Sequence, residues 1–247
     1  MIPRDYSPAS DVLKDSVVLV TGAGQGLGRA AAIAYSAHGA TVVLSGRKVP
    51  KLEQTYDAIV DAGGPQPAIF PLDLDSAADA EFAGLAQGLH NEFGRLDGIL
   101  HSAAHFVPLA PLAIQTLDQW LALLRVNLAA PFALTRACLP LLKRAESASV
   151  ILTSETHAAA PKAYWGGFAV AKAGLHTLTA TCADELEGTP VRINTFIPGP
   201  VASPQRMQSH PGEAPATLPK PADLAPAYLY LMGPDSENLR GQVLSWQ

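Results

Sequence analysis

Cysteine is scarce in this chain, and long apolar runs are absent. The two cysteines, Cys138 and Cys182, are too few for a disulfide framework and lie in apolar surroundings, so we expect buried free thiols. No apolar run reaches the roughly 18 residues of a membrane span, and the first residues lack the apolar stretch of a secretory signal. We therefore expect a cytoplasmic protein that does not enter a membrane.

Charged residues are sparse as well. They make up 16 % of the 247 residues, with a net charge of −5. This balance excludes a general attraction to nucleic acid or to anionic membranes, and we predict no metal site. Hydrophobic residues reach 48 %, and a chain of this length suits one well-buried α/β domain over residues 1–247.

The chain alternates short apolar runs with helical patterns. This alternation is typical of a Rossmann-type, doubly wound parallel sheet of about seven strands with helices on both faces. The proline-rich stretch 203–221 predicts a loop that offers a small substrate pocket, with Met207 as its main apolar side chain. The strands are predicted at 16–21, 41–44, 67–71, 99–100, 149–153, 191–196 and 241–246, and the helices at 26–38, 50–62, 76–93, 117–144, 163–186 and 221–232.

A glycine-rich segment joins the first strand to the first helix. Such glycines let the backbone turn tightly and let a pyrophosphate approach the amides at the helix start. The pattern G-x-G-x-x-G fails because Leu27 occupies its last glycine position. The spacing T-G-x-x-x-G-x-G fits instead. An ordinary turn is the alternative, but the place directly after a first strand favours a nucleotide site formed by Gly22, Gln25, Gly26, Leu27 and Gly28.

The second predicted strand ends without an acidic residue. An acidic side chain there would bind the ribose 2′-hydroxyl of NAD. Arg47 and Lys48 stand in its place, and Arg47 offers a planar fork that suits a 2′-phosphate. A solvated basic start of the next helix is the alternative. We predict NADP(H) as the cofactor, with NAD less favoured.

The glycine spacing and three later motifs resemble the short-chain dehydrogenase/reductase family. Asp73-Leu74 matches the family's acidic–apolar pair at the adenine. His101-Ser102-Ala103-Ala104 stands at the Asn-Asn-Ala-Gly motif, of which only Ala103 survives. The segment from Pro198 and Gly199 to Ser203 matches P-G-x-V-x-T, which implies that Val201 and Ser203 hold the nicotinamide amide. The resemblance implies Ser102, Ala103 and Lys172 as further cofactor contacts.

The catalytic positions depart from this family. Its signature is Tyr-x-x-x-Lys, and here Phe168 precedes Lys172. The family's serine lies thirteen residues before its tyrosine, and that count reaches Glu155. A phenyl ring has no exchangeable proton, so Phe168 cannot act as the acid. The resemblance leaves Asn127 and Lys172 as the retained members of the catalytic set.

Asn127 lies in the long predicted helix, four residues before Pro131. Because proline has no amide hydrogen, the carbonyl of Asn127 loses its helical bond. In the family that carbonyl holds a water that leads to the lysine. The site for this water is therefore expected to persist, although the phenol that it would serve is absent.

Several residues are candidates for the missing acid. Glu155 is a carboxyl group that can act as a general acid, or it can form an inert ion pair with Lys172. His157 has a suitable ordinary pKa. Tyr164 shares a helix face with Phe168 if the helix runs that far back. Ser154 and Thr156 can anchor a carbonyl if the loop shifts by one residue. The remaining alternative is that no efficient acid exists.

Two classes of function fit these observations. The first is an NADP(H)-dependent carbonyl reductase or alcohol dehydrogenase with non-standard proton delivery. The second is a pseudo-enzyme that serves as a structural or nucleotide-binding subunit beside an active homologue. The resemblance implies a homodimer or homotetramer through helices 117–144 and 163–186, or a hetero-oligomer with an active member of the family.

Overall fold

Seven parallel strands form a single sheet at the centre of the molecule. In this computed structural model, which describes residues 2–246, the strand order is β3-β2-β1-β4-β5-β6-β7. All neighbouring strands pair in parallel. The strands are β1 Val17–Thr21, β2 Thr41–Gly46, β3 Ala68–Pro71, β4 Gly98–His101, β5 Ala148–Thr153, β6 Val191–Ile197 and β7 Val243–Ser245.

Nine α-helices connect these strands within the described residues. Short 3₁₀ turns lie at Leu112–Ile114, Pro215–Thr217, Pro221–Leu224 and Pro234–Ser236. The predicted doubly wound fold is confirmed, whereas Met1 and Gln247 of the predicted domain lie outside the described residues. The helices are α1 Gly26–Ala37, α2 Val49–Asp61, α3 Asp79–Phe93, α4 Leu117–Leu124, α5 Ala130–Leu142, α6 Thr156–Ala159, α7 Gly166–Glu185, α8 Pro204–Ser209 and α9 Ala225–Met232.

The central strands β1, β4 and β5 are buried along their whole length, as expected for mostly apolar strands between two layers of helices. Successive side chains of β1 alternate between two hydrophobic clusters, with Val18 and Val20 on the side of α1 and α9 and Val17 and Leu19 on the side of α3 and α5. Both cysteines are free thiols, Cys138 buried and Cys182 half-buried. Because helices cover both faces of the sheet, the edge formed by the carboxyl ends of the strands is the part that is left for a site.

The long predicted helix 117–144 is divided by a π-helical turn at Arg125–Ala129, between α4 and α5. The proline after this turn cannot donate a helical hydrogen bond, which accounts for the local unwinding. By length and composition the stretch Leu117–Leu142 is apolar enough to span a membrane. However, α4 packs on α7 and α5 packs on α3, and part of the apolar surface of this stretch is buried inside the protein.

The predicted start of helix α7 and the predicted loop 203–221 are both wrong for local backbone reasons. Helix α7 begins at Gly166 rather than at 163, because Tyr164 has a φ value of 76°, which a right-handed helix does not allow. Residues 203–221 are not a plain loop either. Ser203 caps the short helix α8 by accepting a hydrogen bond from the backbone N–H of Arg206 at 3.2 Å.

Replacing Gly28 by alanine is expected to destabilise the fold. A Cβ at this position would lie 2.5 Å from the carbonyl oxygen of Gly22, and such overpacking typically costs about 1–3 kcal/mol. Gly84→Ala in α3 is the matched control, because a Cβ there meets nothing within 4 Å. Urea unfolding should show a loss for Gly28→Ala and none for Gly84→Ala. Equal stability of the two variants would contradict the tight packing of the glycine loop.

Candidate active site

A cleft of about 410 Å³ opens at the carboxyl ends of the strands. One end lies between the glycine loop and the end of β2, and the other end reaches α6, α7 and α8. Apart from Gly28, the residues predicted to contact the cofactor line this one cleft. They are Gly22, Gln25, Gly26, Leu27, Arg47, Asp73, Leu74, Ser102, Ala103, Lys172, Pro198, Gly199, Val201 and Ser203.

The glycine loop is shaped to leave space for a ligand. Gly26 has a φ of 56°, which favours glycine. A Cβ at this position would project toward Ser203 and the ring of Pro204, at 4.0 and 3.8 Å, and would narrow the cleft between the loop and α8. Gly22 packs so closely that a Cβ would lie 2.8 Å from Cα of Ala103. The loop therefore fits a group, such as a pyrophosphate, that must approach the backbone closely.

The end of the cleft between the glycine loop and β2, which we call the nucleotide end, is basic. Arg47 and Lys48 are exposed where β2 ends, and both line the cleft. Lys51 donates a hydrogen bond to Oε1 of Gln25, which joins α2 to the glycine loop. Asp73, on the opposite wall, accepts a hydrogen bond from the backbone of Asp75 at 3.1 Å. These charges suit an anionic group near Arg47.

Phe168 forms an apolar wall at the end of the cleft that reaches α6, α7 and α8, which we call the reaction end. Its ring is 2 % exposed and meets the ring of Phe106 edge to face at 5.1 Å between centroids. The ring of Trp165 lies 6.1 Å away. All three rings line the cleft. The position that holds a phenol in the family is thus part of an aromatic cluster that offers no proton.

Lys172 is buried beneath this wall. Its Nζ donates to the carbonyl oxygen of Thr153 at 2.8 Å and lies 5.7 Å from the centre of the Phe168 ring. Burial lowers the pKa of Lys172 to about 8, against the opposing effect of the Glu155 carboxylate. The ammonium group is therefore still mainly protonated at neutral pH.

Glu155 pairs with His157 rather than with Lys172. Its Oε2 accepts a hydrogen bond from the backbone N–H of His157 at 2.7 Å, and its Oε1 lies 2.9 Å from Nδ1 of the same residue. The imidazole ring stacks on Trp165 at 3.9 Å with an interplanar angle of 16°. Glu155 lines the cleft, whereas His157 is buried and is not one of the residues that line it. The alternative of an ion pair between Glu155 and Lys172 is not realised.

Tyr164 does not reach the reaction end, so its prediction as a substitute acid is wrong. It lies in the turn before α7 and is 57 % exposed, outside the residues that line the cleft. Ser154 is also committed elsewhere. Its hydroxyl donates to the carbonyl of Lys172 at 3.2 Å and bonds to Nε2 of His176 at 2.9 Å. Thr156, at the start of α6, lines the cleft.

Asn127 lies outside the cleft lining and holds one lining segment in place. It is fully buried in the π-helical turn, and its amide donates to the carbonyls of His105 and Leu123 at 2.8 and 2.9 Å. Its Oδ1 accepts from the N–H of His105 at 3.2 Å. The side chain therefore fixes the segment after β4, which carries His105 and Phe106 into the cleft.

Sequence reasoning missed several residues of the cleft. Phe106 and Trp165 were not singled out, although one follows the 101–104 motif and the other directly follows Tyr164. Arg206 on α8 was hidden in the expected loop, and its guanidinium binds Glu213 through two hydrogen bonds of 2.5 and 2.8 Å. Within residues 2–246, no group of three or more potential metal ligands occurs.

Family models and known structures agree with this architecture. Residues 16–214 match the model of the short chain dehydrogenases, and the chain belongs to this family. Oxidoreductase YciK of Escherichia coli is 38 % identical over 242 residues, which cover 98 % of this chain and 96 % of the relative. The resemblance to the short-chain family is thereby confirmed.

Two solved structures are also closely similar. A short chain dehydrogenase from Pseudomonas syringae has 47 % identity and a TM-score of 0.96, covering 98 % of this chain and 99 % of the other. A short chain dehydrogenase from Escherichia coli, solved as a complex with NADPH, has 38 % identity and a TM-score of 0.94, covering 97 % and 100 %. The relatives thus bear out the prediction of an NADP(H) cofactor at the level of the family.

His101 on β4 generates a prediction for stability against pH. Its Nε2 bonds to Oγ1 of Thr135 at 2.9 Å, and burial, with a smaller effect of Lys172, lowers its pKa from 6.5 to about 3. The unfolded chain binds a proton near the ordinary value while the folded chain stays neutral. The free energy of unfolding should therefore fall as the pH drops below about 6.5, by about 2 kcal/mol at about pH 5.

The variant His101→Asn should remove this part of the pH dependence. Urea unfolding of both proteins between about pH 8 and pH 5 measures it. If the two proteins lose the same free energy on acidification, His101 is not the buried neutral group that we describe.

Proposed function

We propose that this chain is an NADP(H)-dependent short-chain oxidoreductase of the carbonyl reductase or alcohol dehydrogenase type, with slow and non-standard proton delivery. One observation carries this proposal. The residues predicted to bind the nucleotide come from five separate motifs, and all of them except Gly28 line one continuous cleft. This cleft also reaches Phe168 and Lys172. When bound, a reduced nicotinamide supplies hydride.

The chain offers a contact for each part of such a cofactor. The glycine loop and the start of α1 would hold the pyrophosphate, and Arg47 with Lys48 would bind a 2′-phosphate. Lys172 has N–H donors left beyond its bond to Thr153 for ribose hydroxyls. Val201 and Ser203 would hold the amide at the nicotinamide end. The NADPH complex of the Escherichia coli relative supports the choice of NADP(H).

Proton transfer is the weak step in this account. Phe168 presents only carbon and hydrogen to the cleft, and the Glu155 carboxyl accepts hydrogen bonds from His157. A positioned acid usually contributes about 10²–10⁴-fold to the rate. We therefore expect ketone reduction that is slower by about this factor than in an enzyme that has the tyrosine.

A non-catalytic role is the second candidate, and the packing of Phe168 favours it. Its ring is buried among Phe106 and Trp165, so the position serves packing rather than chemistry. In this role the chain would be a nucleotide-binding subunit in the cytoplasm, either as a homodimer or homotetramer or beside an active homologue. Exposed apolar residues on α4 and α7, Leu117, Leu121 and Val170, suit such contacts. NADPH binding without oxidation in the presence of any carbonyl would favour this candidate.

Arg47→Ala tests the cofactor assignment. Loss of a charge-assisted contact to the 2′-phosphate should raise the Kd for NADPH about 10–100-fold and leave the Kd for NADH unchanged. The enhancement of nicotinamide fluorescence on binding measures both constants.

Arg136→Ala is the matched control, because Arg136 is an exposed arginine paired with Asp79 outside the cleft. Two results would contradict the proposal. One is an absence of NADPH binding up to millimolar concentration, and the other is an equal loss of affinity in the two variants.

A further inference from the structure

The reaction end of the cleft has exchanged hydrogen-bond donors for an acceptor. In this family a phenol and a serine hydroxyl face the substrate. Here Phe168 offers neither donor nor acceptor, and Glu155 offers carboxyl oxygens that already accept from the backbone N–H and the Nδ1 side of His157. Two nearby groups are partly engaged, because Lys172 donates one hydrogen bond to Thr153 and Ser154 donates to the Lys172 carbonyl.

This exchange disfavours a carbonyl substrate because of its hydrogen bonding and charge. A carbonyl oxygen is only an acceptor, so a carboxylate opposite to it leaves both groups without a donor and repels the charge that develops on the oxygen. A group that is cationic at the same position has the opposite preference. The iminium ion, in which nitrogen replaces the carbonyl oxygen, is such a group.

Aromatic rings that line the same cleft as Glu155 strengthen this preference. Phe106, Trp165 and Phe168 line the cleft together with Glu155, and the centroids of the three rings lie 5.1 to 6.1 Å apart. Aromatic walls with a carboxylate attract organic cations through the ring quadrupole and the charge. Neutral flat rings would also pack there, so the charge of Glu155 decides between the two.

The other charged groups near Glu155 are accounted for within the described residues. On α8, the Arg206 guanidinium is held by Glu213, and burial, followed by Arg206, lowers the pKa of His210 at its end. On β4, His101 is kept neutral by burial, with a pKa of about 3. Lys172 on α7 is the remaining cation, with its ammonium turned to Thr153. His105 lines the cleft from the segment that Asn127 holds.

We propose that the reaction end of this cleft binds an organic cation with a C=N bond, so that the substrate class is an iminium ion rather than a ketone. The inference rests on the proposed NADP(H)-dependent function. The iminium carbon accepts a hydride from the reduced nicotinamide cofactor, which is left oxidised. The π electron pair of the C=N bond moves to nitrogen and cancels its charge. A neutral amine results and no proton is taken up, so a site without an acid suffices.

Binding without cofactor is the first test. N,N-dimethyl-1,2,3,4-tetrahydroisoquinolinium is a fixed cation that cannot react, and 1-tetralone is a neutral bicyclic ketone of similar size. Calorimetry on the wild-type protein should show the cation bound about tenfold or more tightly than the ketone. Glu155→Gln should abolish this difference, whereas Glu187→Gln, an exposed glutamate outside the cleft, should keep it.

Turnover with NADPH is the second test. N-methyl-3,4-dihydroisoquinolinium should be reduced with a kcat/KM about 100-fold or more above that of 1-tetralone, since its reduction does not require the missing acid. Glu155→Gln should lower kcat/KM for the iminium about tenfold and should not lower the ketone value, because the carboxylate opposes the charge that develops on a carbonyl oxygen. Glu187→Gln, outside the cleft, should leave the ratio of the two substrates unchanged.

The outcomes separate this inference from the function on which it rests. Equal binding of cation and ketone, or a ketone rate that exceeds the iminium rate, would overturn the iminium proposal while NADPH binding persists. A drop of the ketone rate in Glu155→Gln would overturn it as well, because Glu155 would then act as the acid. Failure of NADPH to bind would overturn the proposed function, even where the cation still binds through Glu155.

Discussion

The pairing of β1 with β4 is the constraint on which the cleft depends. These strands are far apart in the sequence but adjacent in the sheet, and the strand order reverses direction between them. Connections leave such a point on opposite faces, so a crevice forms at the carboxyl ends. The hydroxyl of Thr21 closes this junction by accepting hydrogen bonds from the backbone N–H groups of Ser102 and Ala103 at 3.2 and 3.3 Å.

The two ends of the cleft differ in what they retain. At the nucleotide end, glycines and strand ends form the site mainly through the backbone. This part of the site is therefore retained wherever the sheet and its loops are retained. At the reaction end, single side chains carry the chemistry. There Phe168 and Glu155 replace the two hydroxyl donors, and the neighbouring polar groups have become structural: Lys172 bonds to Thr153, and Ser154 bonds to the Lys172 carbonyl and His176. The frame for a cofactor and the loss of the acid are therefore physically independent.

Much of the fold and of the nucleotide end could be predicted from the sequence, because apolar runs specify buried strands and glycines specify tight turns. The strand positions, the glycine spacing and the place of Lys172 follow from local pattern. The arrangement of the reaction end could not be predicted in the same way. Tyr164 lies outside helix α7 because its backbone is left-handed, and the spacing of residues in the sequence does not indicate this conformation. The place of Trp165 in the site depends on packing, because its ring stacks on His157 and lies near Phe106 and Phe168.

Other features depend on contacts between segments that are distant in the chain. The pairing of Glu155 with His157 instead of Lys172 is set by how the loop after β5 enters the short helix α6. The role of Asn127 as a support of the His105 segment depends on the unwound turn before Pro131. Sequence patterns report one element at a time, so such arrangements become visible only when the elements are packed together.

The double variant Phe168→Tyr with Glu155→Ser gives the most direct test of the central claim, that the cofactor frame is intact and the donors for a carbonyl are missing. Ketone reduction should be measured in a single turnover with NADPH already bound, beside the Kd for NADPH. The account predicts a rate at least about 100-fold above wild type with an unchanged Kd. A wild-type protein that reduces ketones as fast as the double variant would contradict it.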